Sequence, residues 1–164
     1  MKKIFIIIAL AMPVLVMAQK FGHVNTSELF TQMPEMAKIK LKMDTIQSQY
    51  ENQLTLMQEE FQKKAQDYQA QASTMTEAIR QIREQELGEM QQRIQLFYQT
   101  AEQDIQKQQQ ELLAPVHERM AKAIETVGEK EGYTYIFDSA AMVYISPSTA
   151  IDVMPAIKKE LGIK

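Results

Sequence analysis

Side chains that could perform nucleophilic, acid–base or metal chemistry are few in this chain and are not grouped. Its 164 residues include two histidines, His23 and His117, and no cysteine. The two histidines lie on different predicted elements, so they form neither a metal site nor a catalytic pair. No glycine-rich phosphate loop and no nucleophile motif occurs. The sequence therefore predicts no metal, no cofactor and no catalytic residue.

Neighbouring carboxylates are the remaining candidates for acid–base chemistry. Glu59 and Glu60, and likewise Glu84 and Glu86, lie on polar faces of predicted helices. A general acid or base needs surroundings that shift its pKa, and nothing near these residues predicts a buried pocket. We therefore expect solvated surface charges, and a protein that is not an enzyme.

Apolar side chains, which could bind another chain by contact, are by contrast regularly spaced. Between Pro34 and Pro115 the only glycine is Gly88, and apolar residues recur at alternating steps of three and four, as on one face of a helix. Methionine adapts to irregular partners, which suits a promiscuous binding surface. The candidates for contact with a bound chain are Met57, Phe61, Tyr68, Met75, Met90, Ile94, Phe97 and Tyr98. Most of these positions equally suit the seam between two helices, whereas Tyr98 falls off that seam.

The same region predicts two long antiparallel helices. An eleven-residue apolar repeat is typical of nearly straight or slightly right-handed helix pairs. The repeat runs through Ile46, Met57, Tyr68 and Ile79. Residues 74–77 match a capping box and would place the turn so that the two arms are almost equal. Gly88 is the alternative turn, although it would leave the second arm too short to pair, and one unbroken helix would need a partner chain.

Several local signals predict where these and other helices begin and end. Asn25, Thr26 or Ser27 can cap a brief helix over 27–33, and Glu28 stands in capping-box register with Asn25. Pro34 suits the first position of the next helix. Pro115 is expected to kink or end the second arm. Glycines 132 and 162 are expected to terminate the last two helices.

Both ends of the chain predict a small sheet. The predicted strands are residues 20–25, 133–138 and 142–146, the last two joined in a hairpin. The fold class is therefore α+β: a small β-sheet body from both termini, with a long antiparallel helical hairpin, a coiled-coil-like arm, inserted between strands one and two. About 50 residues and three strands are too few for a self-sufficient core, so we expect the body to form a homo-oligomer.

The first 18 residues predict export. Lys2 and Lys3 precede an apolar stretch, and residues 16–18 match a signal-peptidase cleavage site. The apolar stretch is shorter than the roughly 20 residues of a membrane span.

Loss of the two lysines with the signal takes the formal net charge from −3 to −5, which argues against nucleic acid as the main partner. We predict a signal peptide at 1–18, removed on export to the periplasm, and a single domain at 19–164. Its body comprises 19–33 and 116–164, and its hairpin arm comprises 34–115.

Short motifs in a fixed order flank and interrupt the glutamine-rich arms. They are Gly22–Asn25 with Ser27–Phe30, Glu111–Pro115, Gly132–Asp138 and Tyr144–Pro147. Their order behind an export signal resembles the Skp/OmpH family of periplasmic chaperones over the whole mature length. The resemblance implies a jellyfish-like homotrimer whose bodies meet in a shared β-barrel and whose arms surround a cavity. It also implies that unfolded outer-membrane proteins are held in that cavity without ATP.

The resemblance further implies a set of interface residues. On matching positions, the trimeric sheet would contain Val24, Ile136, Val143 and Ile145.

The charge of the arms departs from the family pattern, because better-known members have basic arms that attract acidic clients and lipopolysaccharide. Residues 34–131 here hold 12 basic and 17 acidic residues. We therefore do not expect strong lipopolysaccharide binding, and we expect clients to be held through methionine and aromatic contacts.

One other function is compatible with the same pattern. A structural or adaptor coiled-coil protein of the cell envelope would also have long, soluble, glutamine-rich helices. Such a protein would bind one specific folded partner and would not affect aggregation of unfolded chains.

Overall fold

The computed structural model describes residues 19–163, which are mostly helical with one small sheet. The elements are β1 (Phe21–Val24), α1 (Thr26–Thr31), α2 (Pro34–Gln71), α3 (Glu77–Glu131), β2 (Tyr135–Asp138), β3 (Ile151–Asp152) and α4 (Met154–Leu161). The two long helices thus lie between strands one and two, as predicted. No helix within these residues is long and apolar enough to cross a membrane. The predicted signal peptide lies outside the described residues.

Local signals explain most helix ends. The Glu28 N–H donates a hydrogen bond to Asn25 Oδ1 at 3.0 Å, so Asn25 is the one of the three candidates that caps α1. Pro34 stands at the start of α2, where its missing N–H is not needed. Gly132 and Gly162 follow α3 and α4 with φ of +69° and +72°, a left-handed conformation that glycine adopts without strain.

The break between α2 and α3 lies at residues 72–76, at the turn that the capping motif favoured. A single turn of 3-10 helix, Ala72–Thr74, follows α2, and Gly88 lies inside α3. The predicted cap is nevertheless wrong by two residues. The Ile79 N–H, in the first turn of α3, donates a hydrogen bond to Thr76 Oγ1 at 3.5 Å. Thr76, and not Thr74, therefore caps α3. The Thr74 hydroxyl instead donates to the Gln71 carbonyl at 2.9 Å and so closes the preceding turn.

Pro115 does not end the second long helix. α3 runs for 55 residues with Pro115 inside it. A proline in a helix interior removes one backbone hydrogen bond and costs about 3 kcal/mol. Long helical segments on both sides keep the helix continuous despite that cost.

The three strands form a parallel sheet in the order β2-β1-β3. The predicted hairpin between 133–138 and 142–146 is therefore wrong, since residues 142–146 contain no strand and β3 lies further along the chain. Parallel neighbours cannot be joined by a tight turn and need a long crossover connection. The helices between β1 and β2 supply that crossover, and a 3-10 turn at Ser139–Ala141 follows β2 in place of a hairpin.

The described residues divide into two compact units, which we call the sheet unit (residues 19–29 and 123–162) and the helical unit (residues 30–122). The core of the sheet unit comprises Val24, Leu29, Ala123, Val127, Val153, Met154, Ile157 and Leu161. β1 packs tightly there, because a Cβ on Gly22 would lie 2.8 Å from Val153 Cγ1. The buried side chains of the helical unit are Met33, Ile39, Met90, Ala101, Val116 and Met120.

Candidate binding surfaces

Polar contacts join α2 to α3 within the helical unit. The pairs are Glu35 with Arg119, Tyr50 with Asp104, and Tyr68 with Glu84. The partner's number falls along α3 as the residue number rises along α2. The helices therefore meet at several levels along their length.

Two of these contacts hold tyrosine hydroxyls against carboxylates. The Tyr50 hydroxyl donates to Asp104 Oδ2 at 2.8 Å, and this hydrogen bond raises the pKa of Tyr50. The Tyr68 hydroxyl donates to Glu84, and that hydrogen bond likewise raises the pKa of Tyr68. Ionisation of either hydroxyl would place two anions side by side. Both tyrosines therefore remain neutral hydrogen-bond donors at physiological pH.

Most of the predicted contact residues are half-buried in the structure. The half-buried ones are Met57, Phe61, Tyr68, Met75, Ile94 and Phe97. Met90 is only 5% exposed, whereas Tyr98 is 52% exposed. Tyr98 is therefore the one predicted contact residue that stands mainly in solvent, and Met90 is the one that is withdrawn from it.

Other apolar side chains on the helices are more exposed than any of these. Leu41, Leu56 and Leu96 are 68%, 59% and 63% exposed, and Ile82 is 57% exposed. Sequence reasoning missed them because it counted only residues that fitted the three-and-four pattern. Their departure from that pattern was the signal that could have found them, since an apolar residue off the seam of a helix pair faces solvent.

A shallow depression of about 250 Å³ lies at the end of the helices nearest residues 72–76. Tyr68, Met75 and Leu87 contribute its apolar surface. Its charged lining residues are Lys64, Asp67, Arg83 and Glu86. Arg83 Nη1 lies 2.8 Å from Glu86 Oε2, so these two charges largely satisfy each other. The mixed signs give this end no strong attraction for either an anion or a cation.

One face of the sheet carries a cluster of aromatic rings. The ring centroid of Phe21 lies 6.2 Å from that of Tyr135 and 6.3 Å from that of Phe137. All three side chains are exposed although they are large and apolar. An exposed apolar patch of this kind is typical of an interaction surface.

The segment after β2 extends the apolar surface of the sheet unit. Met142, Val143 and Tyr144 are exposed, and Ile145 is half-buried. A depression of about 280 Å³ lies between this segment and the aromatic face. The segment has the composition of a strand but no strand partner within the described chain.

The four predicted interface residues occupy different surroundings. Val24 is 1% exposed within the single chain. Ile136 is half-buried and directed at α3, with its Cδ1 3.5 Å from the position of a Cβ on Gly128. Val143 is fully exposed, and Ile145 lines the depression beside the aromatic face.

The two histidines of the described residues lie in different units. Among residues 19–163, no group of three or more histidine or acidic side chains is placed to hold a metal ion. His117 stacks on Phe30 with 4.3 Å between ring centroids, and His23 lies in β1, in the other unit. The chemistry offered by these surfaces is contact with apolar groups and charged hydrogen bonds.

Comparison with known proteins identifies the family. The model of the family described as "Outer membrane protein (OmpH-like)" matches residues 20–161. This chain belongs to the OmpH-like family. A relative from Yersinia enterocolitica named "Chaperone protein Skp" is 29% identical over 153 residues, which cover 92% of this chain and 93% of the relative. A relative of the same name from Vibrio cholerae serotype O1 is 30% identical, and the match covers 86% of this chain and 85% of the relative.

A solved structure supports the fold of the family. An OmpH-like protein from Caulobacter crescentus, assigned as an outer membrane chaperone, superposes with a TM-score of 0.77. The match covers 87% of this chain and 83% of that one at 15% identity. At that identity the comparison establishes a common fold and nothing about what is bound. Membership of the OmpH-like family thus rests on sequence, and the fold agrees with it.

Proposed function

We propose that the protein is an ATP-independent periplasmic holdase chaperone, not an enzyme. It binds unfolded outer-membrane proteins in a cavity between helical arms and prevents their aggregation. The observation that carries this proposal is the exposure of the long helices. Between residues 40 and 89 no side chain is buried, while leucine and isoleucine side chains stand in solvent. The relatives named as chaperones support the same function.

The arm in this proposal is an antiparallel hairpin of α2 and α3. The cross-helix contacts support it, since a residue late in α2 contacts a residue early in α3. Pairing of the two helices buries only part of each. It leaves most of the surface of the arm available for many weak contacts, each easily broken, so that a bound chain is released when insertion becomes favourable.

The assembly that completes the cavity is a homotrimer formed through the sheet units. Exposure of Phe21, Tyr135 and Phe137 supports an additional partner on that face, because a small sheet with an uncovered apolar face is marginally stable alone. Val143 and Ile145 would contact the neighbouring copy directly. Val24 and Ile136 would belong to the same sheet but support it from within the chain.

The test of this function is aggregation of an unfolded outer-membrane β-barrel protein on dilution from urea. Light scattering is followed with and without this protein, and the mass of the protein is measured in the same buffer. Suppression that saturates near one trimer per client is the expected result. A folded, oligomeric protein that leaves the scattering unchanged would contradict the proposal and favour the adaptor function, with one folded partner.

A further inference from the structure

The middle of the helical unit contains an aromatic pair with a depression on each side. The Tyr50 and Phe97 rings lie 5.8 Å apart between centroids and are tilted by 55°. Both rings line both depressions. One depression, of about 500 Å³, also includes Lys42 and Asp104 together with several glutamines, so its charged lining residues are of both signs.

The second depression, which we call the mid-arm groove, has a different composition. It has a volume of about 350 Å³, and its apolar floor includes Leu54, Phe97 and Ile105. This volume is at the lower end of the roughly 300–1,000 Å³ typical of sites for small molecules. The groove therefore has room for at least one large side chain of another molecule.

The charged side chains around the mid-arm groove are all acidic. Glu51 and Glu102 belong to its lining, and no lysine or arginine does. Gln47 donates a side-chain hydrogen bond to Glu51 Oε1 at 2.8 Å, and the Tyr98 hydroxyl donates to Glu102, which raises the pKa of Tyr98. An ionised carboxylate has about four acceptor positions, so each can accept further hydrogen bonds from a ligand cation.

From this composition we propose that the mid-arm groove binds one aromatic or large aliphatic side chain of an unfolded chain, next to a lysine or arginine of that chain. The apolar residue would fill the space beside Leu54 and Phe97, and the neighbouring cation would pair with Glu51 or Glu102. Charge complementarity selects this occupant, because acidic segments would be repelled from a site with two carboxylates and no cation. The inference rests on the proposed holdase function and adds a preference for basic apolar segments.

The direct test uses short unstructured peptides with a fluorescent label. One peptide has a central phenylalanine flanked by lysines, the second has the lysines replaced by glutamates, and the third keeps the lysines but replaces phenylalanine by serine. The first peptide is expected to bind about threefold to tenfold more tightly than either of the others. The glutamate peptide loses the pairing with Glu51 or Glu102, and exposed charge pairs of this kind contribute modestly. The serine peptide keeps that pairing but loses the apolar contact. Equal binding of the lysine and glutamate peptides would overturn the proposal.

Variants locate the binding on the arm. Glu51→Gln with Glu102→Gln is expected to remove the advantage of the lysine peptide. Glu59→Gln with Glu125→Gln deletes the same charge outside the groove and is expected to keep it. For the apolar contact, Tyr98→Ser is expected to weaken binding of the first peptide, because Tyr98 lines the groove. Equal losses in the groove variant and its control would show general electrostatic or surface effects and refute the proposed site.

Two further results distinguish client binding in the mid-arm groove from contact between copies and from loss of the holdase function. If the groove variants change the sedimentation mass of the protein and not its peptide affinity, the groove is an interface between copies, and the proposal is wrong. The groove variants are also measured for suppression of client aggregation. Suppression by the wild-type protein without the peptide preference refutes the groove proposal alone, whereas no suppression by the wild-type protein refutes the holdase function itself.

Discussion

Replacement of Asp138 by alanine is expected to destabilise the sheet unit more than replacement of any other carboxylate there. Asp138 ends β2 and accepts hydrogen bonds from the hydroxyl and the backbone N–H of Thr26, at the start of α1. It also accepts from the Ala140 N–H at 3.0 Å and so caps the following turn. One carboxylate thus joins the end of β2 to the helix that follows β1.

The expected loss follows from these bonds. A hydrogen bond to a charged group contributes about 1.5–3 kcal/mol. The Thr26 N–H lies 3.4 Å from Oδ1, so this bond is weak, and partial exposure of Asp138 lowers the value of the other two. We therefore expect Asp138→Ala to lower the free energy of unfolding by about 2 kcal/mol near neutral pH.

The loss should depend on pH. The Thr26 hydroxyl, followed by the Ala140 N–H, lowers the pKa of Asp138 from its usual value of 3.8. A carboxyl whose pKa is lowered on folding stabilises the protein above its unfolded pKa, and the contribution disappears as pH falls through the folded value. The difference between wild type and variant should therefore be full above about pH 4 and shrink below it.

Urea unfolding at fixed protein concentration, followed by circular dichroism, measures this difference. Asp152→Ala is the matched control, because Asp152 accepts one backbone hydrogen bond, from Met154 at 2.9 Å. Its loss should be smaller, about 1 kcal/mol. Thr26→Val in the Asp138→Ala background should add little, since the shared bond is already absent. A loss for Asp138→Ala that is no larger than the control, or that is independent of pH, would refute the reasoning.

Three further changes test other parts of the structure. Gly22→Ala should lower the free energy of unfolding in urea by about 1–3 kcal/mol, because the new Cβ would lie 2.8 Å from Val153 Cγ1. Gly88→Ala should instead raise it by about 0.5–1 kcal/mol, because no atom lies within 4 Å of the new Cβ. Tyr50→Phe removes the cross-helix hydrogen bond to Asp104 and should lower the thermal midpoint of unfolding. In hydrogen exchange, amides of residues 40–89 should exchange faster than those of α4, because that part of the arm has no buried side chain; equal protection would contradict this.

The helices could be predicted from sequence because their signals are local. A cap just before α1, a proline at the first turn of α2 and glycines after α3 and α4 each act within a few residues, and the structure confirms all of them, with Asn25 as the cap among the three candidates. The position of the break between α2 and α3 was also predictable. The identity of its capping threonine was not, since Thr74 and Thr76 both precede helix-forming residues and only the path of the backbone selects between them.

The sheet was less predictable because strand pairing is not local. Residues 142–146 have the composition of a strand, and proximity to β2 in sequence favoured a hairpin. The chain instead continues to Ile151–Asp152, which pair with β1 on the edge opposite β2. Composition indicates that a segment can form a strand, but it does not indicate which edge is free. The exposed leucines of the arm were missed for a related reason, since they belong to no periodic pattern.

The low burial of the arm is itself an argument about how a chaperone of this kind would work. A protein that binds many unfolded chains needs apolar surface in water, but a continuous apolar patch would cause the chaperone to aggregate. Here the most exposed leucines are spaced apart, since every exposed residue between Leu41 and Leu56 on α2 is polar or charged. Under the proposed function each contact would be weak, and useful affinity would arise only when one client engages several arms of the proposed trimer together. An arm with acidic grooves would add selectivity to this arrangement without making any single contact strong enough to hinder release.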